Sequence, residues 1–126
     1  MKIWPLCLLT LAALLFVPSA PVSAHHGPAE YDMTTQTTLK GTITDFQFMN
    51  PHSVIFFDVK DAAGNAQKWS AEALSATSMV RQGWSKTMLK PGDQVTIVGN
   101  ISKNGSHTIR LNKIVLASGK ELTIEY

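Results

Sequence analysis

Residues 39–59 read LKGTITDFQFMNPHSVIFFDV. Leu39, Gly41 and Ile43 alternate with Lys40, Thr42 and Thr44, the period-two pattern of a strand with one buried face. After Asp45 the phase slips by one residue, and Phe46 and Phe48 take over the apolar positions. A slip inside an otherwise regular strand marks a β-bulge, which bends the strand. A first strand bent in this way belongs to a small closed barrel. Met49-Asn50-Pro51-His52-Ser53 then forms a turn. Val54, Ile55, Phe56, Phe57 and Val59 follow as a strand apolar on both faces, expected to be central and buried.

Working outward, strand 1 covers 38–48 and strand 2 covers 53–60. Gly64 supplies the positive φ of a hairpin loop at 61–65. Strand 3 covers 67–73, with Trp69 and Ala71 on one face and Lys68 and Ser70 on the other. The period then changes. Ser75 is a good N-cap for a helix over 76–82, and Gly83 a good residue just past its end. Met79 and Val80 are expected to face the core. Ser85 caps a second short turn at 86–89, stopped by Lys90-Pro91-Gly92-Asp93. Strand 4 covers 94–102, and Asn104-Gly105 favours a type I′ turn. Strand 5 covers 107–116. There Ile109 and Leu111 lie on one phase and Ile114 and Leu116 on the other, which implies a second bulge. A last strand covers 121–126.

This order, β-β-β-α-β-β, is that of a mainly β, OB-like five-stranded barrel with one capping helix, here with an extra C-terminal strand. An open, helix-packed α+β sheet is the alternative.

The chain has 126 residues, room for one domain. Lys2, the apolar run 6–17 and the small-residue stretch ending Val22-Ser23-Ala24 read as a signal peptide cleaved after Ala24. The apolar run is short for a membrane anchor. The expected organisation is therefore a signal peptide at 1–24, a flexible arm at 25–37 and a barrel domain at 38–126, in a periplasmic or secreted protein. No membrane span is expected in the mature chain. Cys7 leaves with the signal peptide, so the mature chain has no disulfide, thiolate site or cysteine nucleophile. Lys2 leaves too, and the remaining ten cations are scattered among nine acids. Without a basic stripe, nucleic acid is not the expected partner.

Several motifs group together. They are His25-His26 with Glu30-Tyr31-Asp32, Gly41-Thr42-Ile43-Thr44, Asn50-Pro51-His52, Trp69 with Glu72, Gly83-Trp84, and Leu89-Lys90-Pro91-Gly92-Asp93. In these the chain resembles a family of small exported bacterial proteins classed only as a domain of unknown function. The resemblance covers nearly all of 25–126. It implies export and a small β-rich domain, and it implies no activity. Members usually carry a Gly- and Asn-containing link before the helix and an Arg-rich segment before Gly-Trp. Here those read Leu74-Ser75-Ala76-Thr77-Ser78 and Val80-Arg81-Gln82, which weighs against an anion-binding role for that segment.

Four histidines survive cleavage: His25, His26, His52 and His107. Cleavage after Ala24 gives His25 a free α-amine beside its imidazole, a pair that suits copper(II) or zinc. In an OB barrel the loops after strands 1 and 4 share the ligand-binding side, which would bring His52 and His107 together near the arm. The plainer reading makes His25 and His26 a solvated tail, His52 a turn residue and His107 an exposed strand start. Trp69, Trp84, Phe46, Phe56 and Tyr126 are core aromatics or a stacking platform. Asp58 and Glu72 are solvated acids or a carboxylate pair. No nucleophile elbow, zinc-protease helix or phosphate loop is present in the sequence.

The sequence therefore points to an exported, non-enzymatic module that binds a small ligand or an envelope partner. The candidate ligand-binding residues are Asn50, His52, Trp69 and Glu72, on the strand 1–2 loop and the strand 2–3 face. The alternative is a copper or zinc protein using His25, His26, His52 and His107. No cofactor is fixed by the sequence beyond those two metals, and oligomeric state is left open.

Overall fold

A computed structural model describes residues 27–126. A 3-10 turn at Pro28–Glu30 leads to β1 (Thr37–Gln47), β2 (Val54–Lys60), β3 (Ala66–Glu72), helix α1 (Ala76–Arg81), β4 (Gln94–Ile101), β5 (Thr108–Leu116) and β6 (Glu121–Thr123). The hydrogen-bonded order is β3-β2-β1-β4-β5-β6, and β3 also pairs with β5. That last pairing closes a five-stranded ring and leaves β6 bonded outside it. It is parallel, whereas every other strand pair is antiparallel. The open-sheet alternative is thereby excluded.

Both bulges lie where the hydrophobic phase slips. In β1, Ile43 pairs with Phe57 and Asp45 with Phe56, so Thr44 is the extra residue. β1 pairs with β4 over Thr37–Thr42 and with β2 from Thr42 onward, so the two ladders change over just before the bulge. The turn Lys90-Pro91-Gly92-Asp93 docks at this corner. Ile43 N–H donates to the Asp93 carbonyl at 2.9 Å, and Gly92 N–H donates to the Ile43 carbonyl at 2.8 Å. In the β4–β5 ladder, Val98 faces Lys113 and Gly99 faces Leu111, leaving Asn112 as the extra residue of β5. Gly99 is required here: a Cβ would run into the Arg110 backbone carbonyl.

The core fills the ring with Ile43, Ile55, Phe57, Ala71, Ile97, Ile109, Leu111 and Ile114, all nearly inaccessible. Helix α1 closes one end through Met79, and Ser75 Oγ accepts from Ser78 N–H at 3.2 Å as its N-cap. Val80, expected beside Met79 in the core, is instead 58% exposed. Adjacent helical residues lie about 100° apart, so a helix this short turns only one of them inward. Strand 2 is also less two-sided than expected. Ile55 and Phe57 are buried, while Val54 and Phe56 lie half-buried on the outer face. β6 ends three residues earlier than its alternation suggests. The backbone of Glu125 pairs with the side chain of Gln82 instead, at 2.7 and 3.0 Å.

Residues 27–36, read from sequence as an arm with little to hold it, are tied to the barrel. Tyr31 bridges to Ser102, Asp32 N–H donates to the Ile101 carbonyl and Lys103 N–H to the Glu30 carbonyl, both at 2.9 Å. Asn100, 3% exposed, donates to the carbonyls of Asp32 and Thr35 at 2.9 and 3.0 Å. The bulge residue Asn112 donates to Asn100 Oδ1 at 2.8 Å. The extra residue in β5 thus aims the amide that orients the arm's anchor.

Candidate ligand-binding cleft

Along β3 successive side chains alternate between the core and the outer face. Ala71 points inward and Glu72 outward, where Glu72 sits beside Val54 of β2 and Arg110 of β5. A cleft of about 300 Å³ opens over this point, lined by Gly27, Pro28, Tyr31, His52, Glu72, Ala73, Leu74, Arg110 and Tyr126. Four parts of the chain converge there: the N-terminal arm, the loop after β1, the β3–β5 seam and the residues after β6.

Tyr31 donates its hydroxyl to Glu72 Oε2 at 2.6 Å. Burial, then the hydrogen bond to the Glu72 carboxylate and that group's charge, hold the Tyr31 phenol well above the usual tyrosine range. Ionising it would place a second negative charge against the half-buried Glu72 carboxylate. The Arg110 guanidinium carbon lies 3.2 Å from the centroid of the Tyr126 ring. Tyr126 is positioned by its own hydroxyl, which donates to the Leu111 carbonyl at 2.8 Å. Tyr126 is 54% exposed as a residue, yet burial around its bonded hydroxyl pushes this phenol up to about 12; nearby Arg110 acts against the rise and Glu72 adds to it.

Of the residues singled out from sequence, His52 and Glu72 meet in this cleft. Asn50 does not join them. Its side chain bonds to Thr77 at the start of α1, accepting from Thr77 N–H and donating to Thr77 Oγ1, each at 3.2 Å. Trp69 lies three residues before Glu72 and therefore on the opposite face of β3. It packs toward Phe57 and is stacked by His107, ring centroids 4.7 Å apart and planes 8° from parallel. His107 belongs to that end of β3, since its carbonyl accepts from Ser70 N–H at 3.0 Å. The structure consequently separates His107 from His52 by about three strand residues, on the order of 10 Å. His25 and His26 lie outside the described residues. Among the described residues no group of three His, Cys, Asp or Glu is placed to hold a metal ion.

Trp84 is buried, with its indole N–H donating to the Thr123 carbonyl at 3.2 Å, and Phe46 and Phe48 pack against the core. The five aromatics therefore make no common platform. Asp58 pairs in register with Lys68, four residues from Glu72 along β3 and on the order of 13 Å away, too far for a carboxylate pair. Tyr31 and Arg110 are the cleft residues that sequence reasoning passes over. The faint signals for them are a lone aromatic in a polar stretch and an arginine between two buried apolar residues of β5.

Residues 13–110 match a family described as a family of unknown function, DUF6152. The chain belongs to this family. No curated protein matches this DUF6152 chain. Among solved structures, it is similar to the mitochondrial single-stranded DNA binding protein Rim1 from S. cerevisiae. The TM-score is 0.50 at 9% identity, covering 66% of this chain and 93% of that one. The likeness is one of fold. A tRNA fluorescent labeling enzyme matches with TM-score 0.43 and 23% identity over 64% of this chain, which spans only 17% of the enzyme. The ZRD-deleted mutant of TiaS in complex with agmatine matches with TM-score 0.43 and 26% identity over 71% of this chain and 24% of that one. Among the described residues of the DUF6152 chain, no helix is long and apolar enough to cross a membrane.

Proposed function

We propose that this DUF6152 protein is an exported, non-enzymatic binding module that seats a small ligand in the cleft between Tyr31, His52, Glu72, Arg110 and Tyr126. The supporting observation is the convergence of charged, aromatic and apolar side chains from four chain segments on one concavity. Its volume is at the lower end of ligand pockets, which combine apolar walls with a few placed polar groups. Relative to the sequence reading, the seat moves from Asn50 and Trp69 toward Arg110 and Tyr126. Nucleic acid is not part of the proposal: the cations are dispersed, and Lys103 Nζ is engaged by the Ala29 carbonyl at 3.1 Å. The test is a screen of small aromatic and aliphatic fragments read by amide chemical shifts. The shifts should cluster at 52, 72–74 and 110. Shifts confined to the Trp69–His107 end would sink the proposal. Export is checked by N-terminal sequencing of protein recovered from outside the cytoplasm, where His25 is expected as the first residue.

A second reading, copper(II) or zinc binding, draws on one further observation. Gly27, which follows His25-His26 in the chain, lines the same cleft as His52 and Glu72. Imidazole and amine nitrogens with a carboxylate suit either metal. Titration of protein starting at His25 should show tighter copper(II) binding than protein carrying one extra N-terminal residue. Equal binding by both, or none by either, rejects the α-amine site.

A further inference from the structure

We infer that the cleft recognises a small monoanionic carboxylate with an apolar body, through the edge of the Arg110 guanidinium. This rests on the reading of the cleft as a ligand seat. Arg110 lies on the outer face of β5 between Ile109 and Leu111, both fully buried, so its backbone is fixed by the core on either side. At 3.2 Å from the Tyr126 centroid the guanidinium lies flat on the ring, because an edge-on cation could not approach so closely. Tyr126 is itself held by its bond to the Leu111 carbonyl. Flat stacking uses the face of the guanidinium and leaves the planar N–H fork at its rim, the geometry that grips a carboxylate with two parallel hydrogen bonds.

The ion pair Lys113–Glu121, at 3.2 Å, lies on the far part of β5 and does not involve Arg110. Glu72 is Arg110's neighbour in register, yet one of its oxygens is turned to Tyr31. Pro28, Ala73 and Leu74 supply apolar wall. Arg110 beside the Glu72 carboxylate favours a singly charged ligand over a dianion, since each added negative charge meets Glu72 as well as Arg110. A phosphate ester is disfavoured on that ground.

The experiment is calorimetric and NMR titration of the full folded chain with three probes: benzoate, its neutral isostere benzamide, and inorganic phosphate. Benzoate should bind and shift the amides of 72–74 and 110, with benzamide weaker by about tenfold or more, the loss expected for a charge-assisted bidentate contact. Arg110→Ala should abolish that preference. Arg110→Lys, which keeps the charge and the stem but not the fork, should recover only part of it and guards against a folding defect. Benzoate and benzamide binding alike in wild type and Arg110→Ala would overturn the anion assignment while leaving the cleft as a ligand seat. Phosphate outcompeting benzoate at Arg110 would overturn the carboxylate assignment. Probes that shift none of the cleft amides would remove this inference and the cleft reading together.

Discussion

The hydroxyl of Tyr31 and the carboxylate of Glu72 meet at 2.6 Å although 41 positions separate them in the chain. Tyr31 is 4% exposed and Glu72 half-buried, so the bond joins the arm to the end of β3 in a partly buried setting. Hydrogen bonds to charged groups are worth roughly 1.5–3 kcal/mol. Tyr31→Phe should lower unfolding stability by about that much near neutral pH, measured by urea denaturation. The sign of the pH dependence follows from the raised phenol. Its neutral form is favoured in the folded state, so the stabilisation is fully present below the ordinary tyrosine value of about 10 and is lost as pH rises beyond it. The gap between wild type and Tyr31→Phe should therefore narrow on the alkaline side of pH 10. A constant gap would mean that Tyr31 is not the titrating group.

Asn100 and Asn112 form a relay from the β5 bulge to the arm. Asn100→Ala removes bonds to two arm carbonyls and orphans the Asn112 amide, at a cost of about 2–3 kcal/mol. Asn112→Ala should cost less, because Asn100 keeps both arm bonds. A double-mutant cycle should show coupling of at least about 0.5 kcal/mol, and strict additivity would disprove the relay. Hydrogen exchange at Asp32 N–H, which pairs with Ile101, should accelerate in Asn100→Ala.

Gly99 and Gly83 contain the same residue for different reasons. Gly83 has φ +86°, with open space where a Cβ would project, so Gly83→Ala meets only backbone strain of about 1 kcal/mol. At Gly99 the new methyl would collide with the backbone carbonyl of Arg110, which cannot rotate away. Gly99→Ala should cost upward of about 3 kcal/mol and loosen the β4–β5 ladder. Thermal unfolding of the two variants side by side decides this; equal melting temperatures would contradict it.

Asn50 is expected to act on the helix and not on ligand. Asn50→Ala removes its bonds to Thr77 at the first turn of α1 and should destabilise the fold by about 1 kcal/mol. Affinity of the cleft for benzoate should be unchanged within twofold, on the order of 0.4 kcal/mol. A larger loss of affinity would return Asn50 to the site.

The barrel was legible because its curvature is written locally. Both bulges shift the apolar phase, at Thr44 and Asn112, and a phase shift is visible in one strand alone. Helix α1 was legible in its caps but not in its facing, since six residues give too little periodicity to separate Met79 from Val80. The cleft was half legible. His52 and Glu72 stand out as polar groups flanking β2 and β3, whereas period two already forbids Trp69 from sharing a face with Glu72. Tyr31 and Arg110 escaped because what makes them notable is supplied by distant residues. Tyr31 is bonded to Glu72, and Arg110 stacks on Tyr126.

The parallel β3–β5 pairing that closes the ring has a further consequence. It is held by only three register pairs, Ser70 with Thr108, Ala71 with Ile109 and Glu72 with Arg110, against six or seven in β1–β4, β2–β3 and β4–β5. It joins segments far apart in sequence, so it is a natural place for the barrel to open first. Its last pair forms the floor of the cleft. A ligand that grips Arg110 while touching the Glu72 side therefore acts as a clasp on the ring, and its binding energy is returned as resistance to opening. At a hundredfold excess over its dissociation constant such a clasp adds about 2.7 kcal/mol.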